Sequence, residues 1–222
     1  MSTLGGAVIA AAGLGSRLGH GLPKCMVEVG GRTILSRLIE EVERQTDRIH
    51  VVVGYREELI IQHCALHHRN VVLVRNPDFR TTQTIHSYRL GARGLPGPAL
   101  FIDGDCLIAP GALGSFVEAA RGHRSLVGLT PASSDHAVFA AVREGDRGTE
   151  VVGFDRATPE AQEWASVLIT PADVLEGHEN FVYEALAEHL PLPAATIELA
   201  EVDTTADLER AHVRAAQWWP AG

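Results

Sequence analysis

The chain is short of thiols, short of positive charge and free of long apolar runs. It has three cysteines, Cys25, Cys64 and Cys106, and no C-x-x-C pair. An odd, scattered set excludes a disulfide framework and points to a reducing compartment. Lys and Arg together number 19 against 28 Asp and Glu, a net charge of -9. A nucleic-acid binder would carry a basic stripe instead, so nucleic acid is set aside as a partner. No apolar stretch approaches the ~20 residues that span a bilayer. No charged region precedes the first apolar run, so neither a membrane partner nor a secretory signal is expected. Repeats, low-complexity tracts and long linkers are absent too. What remains is a cytoplasmic globular protein read as one domain over residues 1–222.

The first half alternates short apolar runs with helical patterns. Residues 6–12 (GAVIAAA) are continuously apolar and suit a buried parallel strand. Thr33 can cap a helix that carries Ile34, Leu35, Leu38, Ile39 and Val42 at helical spacing. Strands are predicted at 49–53, 71–74 and 99–102, with helices at 57–68 and 85–92. In the second half, strands are predicted at 125–129, 137–142, 150–154, 164–169 and 196–202. A hairpin is expected at 144–148 and a helix at 180–190. Thr204-x-x-Asp207 resembles a capping box that opens the last helix. The predicted fold is α/β, a Rossmann-like wound mixed sheet, mostly parallel, with helices on both faces. The nucleotide-binding part would be about 1–110 and the acceptor-binding part about 111–222.

The stretch 10–26 (AAAGLGSRLGHGLPKCM) is a glycine loop between a strand and a helix. Such loops offer backbone N–H groups to phosphate, and glycines let the backbone come close. Ala11, Ala12, Gly13, Gly15 and Ser16 are the candidate nucleotide contacts. A dinucleotide fingerprint would need a third glycine where Leu18 stands. A Walker loop would need a different lysine context. The loop instead carries its own Arg17 and Lys24, the candidate catalytic residues. Arg17 can fork two phosphate oxygens, and Lys24 can place a compact charge on the phosphate under attack.

The string AVIAAAGLGSRLG…LPKCMVEVGG resembles the N-terminal signature of the nucleotidyltransferase (NTP transferase) family. Those enzymes join a nucleoside triphosphate to a phosphorylated sugar, polyol or amino alcohol. Gly13, Gly15, Arg17, Pro23, Lys24 and Val29-Gly30-Gly31 carry the match. Gly54-Tyr55, Asn76-Pro77 with Thr84-x-x-Ser87, Asp103-Gly104-Asp105 and Asp203-Thr204-x-x-Asp207-Leu208 resemble later motifs of the phosphocholine/phosphonate cytidylyltransferase group. The resemblance covers most of the chain in the expected order, and implies a nucleotide-diphospho-sugar transferase-like fold. The chain departs from that group at Gln83 and Thr84, where asparagines are usual. With Ser87 and Asp103 they are the remaining candidate nucleotide contacts, since amides and hydroxyls can still bond a pyrimidine edge.

The resemblance makes Asp105 and Asp203 ligands of Mg²⁺, the implied cofactor. As sequence alone, the same residues read equally well as a turn aspartate and a helix cap. Tyr183 and Glu184 pair an aromatic with a carboxylate, as an ammonium-bearing acceptor would need. His63, His67 and His68 lack a zinc pattern and read as a solvated helix face, as do Glu40, Glu41 and Glu43. Trp164, Trp218 and Trp219 read as packing residues. The leading expectation is transfer of CMP from CTP, or another nucleotide from its triphosphate, to a small phosphorylated or phosphonate acceptor, with loss of pyrophosphate. A sugar-1-phosphate or polyol-phosphate transferase is the alternative. A catalytically silent nucleotide-binding regulator is the alternative from another class. Oligomeric state stays open, with a homodimer allowed.

Overall fold

Buried on both faces, a parallel strand has no reason to alternate polar and apolar residues, and the first strand of this chain does not. The computed structural model describes residues 4–15, 21–133 and 137–220. Its first half runs β1 (Ala7–Ala11), β2 (Glu28–Val29), β3 (Arg32–Thr33), α1 (Ile34–Glu43), β4 (Ile49–Val53), α2 (Glu57–His67), β5 (Val72–Arg75), α3 (Thr84–Ala92) and β6 (Pro98–Asp103). A 3-10 turn at Lys24–Met26 precedes β2. Strands β5, β4, β1 and β6 lie side by side and parallel. Ala7, Ile9 and Ala11 point to one core, and Val8 and Ala12 to the other. The first core is closed by α1, α2 and later helices at 112–119 and 205–218, the second by α3 and a helix at 182–187. Helices therefore cover both faces, as the apolar runs imply.

The second half adds β7 (Cys106–Ile108), α4 (Ala112–Ala119), β8 (Leu126–Pro131), β9 (Phe139–Gly145), β10 (Gly148–Asp155), β11 (Gln162–Pro171), α5 (Val182–Ala187), β12 (Leu192–Thr196), β13 (Leu199–Glu201) and α6 (Thr205–Trp218). The main sheet has nine strands in the order β5-β4-β1-β6-β11-β8-β12-β10-β9. Strand β11 joins β6 antiparallel, and β12 joins β8 parallel. No helix among the described residues is long and apolar enough to cross a membrane.

The expected strand at 196–202 is two strands in two sheets. Ile197 N still bonds Leu129 O at 2.8 Å, inside the main sheet. Glu198 O then accepts from Ala109 N at 3.0 Å, and the chain leaves to pair as β13 with β7. Neither β7, which has three residues, nor α4 stood out in the sequence. The turn between β2 and β3 holds Gly30 and Gly31, both at positive φ (59° and 74°). A two-residue hairpin loop of this hand needs that conformation at both positions. Cys25, Cys64 and Cys106 are free and buried, in line with the absence of a disulfide framework.

Two faces expected to be solvated are so only in part: Glu43 and His67 are exposed, but Glu41 and His68 are buried. Glu41 is 4% exposed, and its carboxylate accepts from Gly111 N at 3.3 Å as well as pairing with Arg44. His68 is 6% exposed, and its Nε2 lies 2.8 Å from Ser36 Oγ. His63 Nε2 meets the same Oγ at 2.8 Å and Thr33 Oγ1 at 3.2 Å. Thr33 Oγ1 also accepts from Ser36 N, capping α1. Burial lowers the pKa of both His63 and His68 from the usual 6.5. The neighbouring histidines push His63 the same way, and Glu43 opposes the shift at His68. The unfolded chain takes up these protons near pH 6.5, and the folded chain only at lower pH. Stability should therefore fall as pH drops through about 6.5. Replacing His68 with Gln should shrink that fall. Urea midpoints at about pH 7.5 and 5.5 measure it; equal losses in both proteins would remove the histidines from this role.

Candidate active site

Ligands of α/β sheets gather beyond the carboxyl ends of the parallel strands. Here the chain leaves β1 through Ala12–Gly15 and leaves β6 through Gly104. Gly104 N donates to Ala10 O at 2.9 Å. A Cβ on Gly104 would stand 2.7 Å from that same oxygen, so only glycine lets the two strand ends cross so closely. A cleft of about 440 Å³ opens there. The candidate residues Ala11, Ala12, Gly13, Gly15, Lys24, Gln83, Thr84, Ser87, Asp103 and Asp105 all line it. Gln83 is the N-cap residue of α3 and makes no side-chain capping bond, so its amide is left for other partners. Ser16 and Arg17 lie outside the described residues.

Lys24 joins the two expected metal ligands. Its Nζ lies 2.8 Å from Asp105 Oδ2 and also donates to Asp203 Oδ1. The two carboxylates do converge, but not through one main sheet. Asp105 immediately precedes β7 and Asp203 follows β13. The small ribbon of β7 and β13 brings them together, with Val202 N donating to Asp105 O at 3.0 Å. The capping box of α6 then fixes the chain just past Asp203: Thr204 N donates to Asp207 Oδ2 at 2.8 Å, and Asp207 N to Thr204 Oγ1 at 3.2 Å. Burial works against the charge on Lys24. The field of Asp105 and the hydrogen bonds to both acids outweigh it and hold the ammonium well above its ordinary value.

Behind this trio sits a second acidic pair. Tyr88, fully buried, donates its hydroxyl to Asp103 Oδ1 at 2.7 Å. Strand β11 shifts register between Trp164 and Leu168, and Ser166 there takes a left-handed φ of 52°. This bulge brings the Ser166 hydroxyl within reach of both Asp103 and Glu201. Burial, reinforced by the charge of Asp105, raises Asp103 to about 7 and Glu201 to about 8. A hydroxyl has one hydrogen to give. It can serve one carboxylate, and bonding both then requires the other carboxyl to keep its proton.

No three His, Cys, Asp or Glu side chains among the described residues are placed to hold a metal by themselves. Asp105 and Asp203 supply two carboxylates on one point. That donor set fits Mg²⁺, which takes one or two carboxylates and completes its shell with phosphate and water.

A second pocket of about 190 Å³ adjoins the cleft and shares Gln83, Thr84 and Asp103 with it. Tyr183 lines it. Glu184, expected beside Tyr183 at the acceptor, is not among its lining residues, because successive residues of α5 point in different directions. Trp164, expected to be a packing residue, is part of the wall, together with Arg156, Asn180 and Phe181.

Comparison with known proteins agrees with this geometry. The model of the MobA-like NTP transferase domain matches residues 7–197. The chain belongs to that family. It is 26% identical over 200 residues to the bifunctional protein GlmU of Methanococcus vannielii, covering 88% of this chain and 46% of that protein. It thus spans less than half the length of that relative. Among solved structures, the inositol-1-phosphate CTP transferase from T. maritima superposes with a TM-score of 0.74 at 17% identity, over 97% of both chains. The CTP:phosphocholine cytidylyltransferase LicC of Streptococcus pneumoniae superposes at 0.72 with 19% identity, over 94% of this chain and 98% of that one. At these identities the structural likeness establishes the NTP transferase fold.

Several residues of the NTP transferase cleft escaped sequence reasoning. Asn76 lines it and is 1% exposed. Its Nδ2 donates to Thr82 Oγ1 at 3.2 Å and Ser87 Oγ at 3.1 Å, and its Oδ1 accepts from Asp78 N at 3.0 Å. Its signal was present in Asn76-Pro77, which marks only a turn when read alone. Phe79 and Arg80 line the cleft with no such signal. Tyr88, Ser166 and Glu201 meet only through the sheet. Replacing Gly104 with Ala should destabilise the fold by about 1–3 kcal/mol through overpacking at the strand crossing. Denaturant unfolding measures this, and a midpoint unchanged from that of the parent would mean that the crossing relaxes freely.

Proposed function

We propose that this protein transfers a nucleotidyl group, CMP from CTP as the leading reading, to a small phosphorylated or phosphonate acceptor, releasing pyrophosphate. One observation carries the proposal: a single cleft joins a glycine loop at a strand end to an ammonium held between two converging carboxylates. Family membership supports transferase chemistry. The choice of CTP draws on Gln83 and Thr84, whose amide and hydroxyl can bond a pyrimidine edge, and on the two structural neighbours named for CTP.

An oxygen of the acceptor's phosphate or phosphonate attacks the α-phosphorus in line with the departing pyrophosphate. One O–P bond forms as the bond from the α-phosphorus to the bridging oxygen breaks. The nucleophile arrives ionised, so positioning and charge neutralisation are the work the protein must do. Backbone N–H groups of Gly13 and Gly15 hold phosphate oxygens, with Arg17 in the same loop as a further phosphate ligand. Lys24, already poised between the acids, stabilises charge growing on the α-phosphate. Asp105 and Asp203 would hold Mg²⁺, which when bound neutralises phosphate charge. The adjoining pocket, with Tyr183, receives the acceptor. A sugar- or polyol-phosphate acceptor gains ground from Glu184 lying outside that pocket, since an ammonium loses its expected carboxylate.

Lys24→Ala should fold normally and lose turnover by about two orders of magnitude or more. A pyrophosphate-release assay with each of the four nucleotides and a panel of acceptors reads it. Near-parental turnover in the variant would sink the role of Lys24. Tight CTP binding without pyrophosphate release from the parent, whatever the acceptor, would favour the regulator.

A further inference from the structure

An exposed cation, Arg156, lies on the wall of the smaller pocket. Arg156 follows β10 directly. Its guanidinium carbon lies 5.3 Å from the centroid of Phe181. No ion pair involves it among the described residues. Phe181 in turn stacks on Tyr183, with centroids 5.5 Å apart and an interplanar angle of 16°. Tyr183 also meets Phe154 at 6.4 Å. The aromatic stack gives the guanidinium a fixed surface to rest on. Held so, its fork of N–H groups stays free for a planar anion.

The rest of the wall agrees with that sign. Asn180 offers an amide. Trp164 is on the same wall, and its Nε1 is buried with no hydrogen-bond partner among the described residues. Among the described residues, the one carboxyl on the wall is Asp103, which already accepts from Tyr88 and is shared with the nucleotide cleft. The face of Phe181, where an ammonium would sit, is occupied by Arg156 itself.

We propose that Arg156 selects the acceptor, and that the acceptor carries a carboxylate at the end remote from its attacking phosphate. This rests on the nucleotidyl-transfer reading and deepens it. A phosphorylated or phosphonate carboxylic acid would lie with its phosphate toward Lys24 and its carboxylate against the Arg156 fork. An ammonium at that end meets a like charge.

Three probes differ mainly at that end: phosphoglycolate (carboxylate), glycerol phosphate (neutral) and phosphocholine (ammonium). With CTP and Mg²⁺, phosphoglycolate should give the highest kcat/KM of the three. Arg156→Glu should raise its KM by about tenfold or more, the worth of a lost charge-assisted hydrogen bond, and shift preference toward phosphocholine. KM for CTP should stay within about twofold, since Arg156 does not line the nucleotide cleft. Arg156→Lys should restore part of the loss. Phosphocholine favoured by the parent, or an unchanged phosphoglycolate KM in Arg156→Glu, overturns the inference. Calorimetry with the same probes on the CTP-loaded protein reads selectivity without turnover. Phosphoglycolate binding that disappears in Arg156→Glu supports the inference, and no binding to the parent overturns it. Arg156-dependent binding with no pyrophosphate release from any nucleotide sinks the transferase reading and leaves the subsite standing.

Discussion

Lys24 Nζ sits against two carboxylates that are 81 and 179 residues away in sequence. It joins the 3-10 turn after the glycine loop, the exit of β6 and the entry to α6. Taking such charges partly out of water is costly, and only good geometry and further hydrogen bonds offset the cost. The surrounding structure provides both. The ribbon of β7 and β13 sets the distance between the acids, and the Thr204–Asp207 capping box fixes the chain beside Asp203.

The lysine is held from its other side as well. The Gly30–Gly31 hairpin follows the Lys24 turn, and Arg37 of α1 grips it. Arg37 Nε lies 3.1 Å from Val29 O, and its NH2 nitrogen 3.0 Å from Gly30 O. Trp219, just past α6, lies over the same guanidinium with its ring centroid at 3.8 Å. The helix that begins beside Asp203 therefore ends on the residue that holds the hairpin after Lys24. Both ends of α6 brace the same loop, and rigid support of this kind is what transfer chemistry by positioning requires.

Charge balance explains the layout of the cleft. One fixed cation faces Asp105 and Asp203, with Asp103 and Glu201 behind them. Four carboxyls with one ammonium would repel one another if all were ionised. Burial and the charge of Asp105 let the rear pair retain protons near neutral pH, against the Tyr88 and Ser166 hydroxyls, which favour the charged form, while the front pair meets Lys24.

Much of this was legible in one dimension. The apolar runs of β1, β4 and β6 and the Thr33 cap follow from periodicity and local chemistry, which need only neighbours in sequence. The glycine loop, Lys24 and Asp105 were legible because strand, turn and motif stand side by side. Glu41 and His68 misled, because a helix face that looks solvated is buried when a distant segment such as 109–111 or Ser36 packs on it. The split of 196–202 into β12 and β13 was hidden because both sheets accept the same apolar sequence. By itself the sequence determined the wound α/β core and the glycine loop after β1. Only the tertiary structure decided that Asp105 and Asp203 meet on one ammonium, that Ser166 reaches Asp103 and Glu201, and that the pocket beside Tyr183 carries Arg156 and not Glu184. Those pairings join residues far apart in the chain, and a chain's local pattern holds no term for which distant strand its neighbour will be.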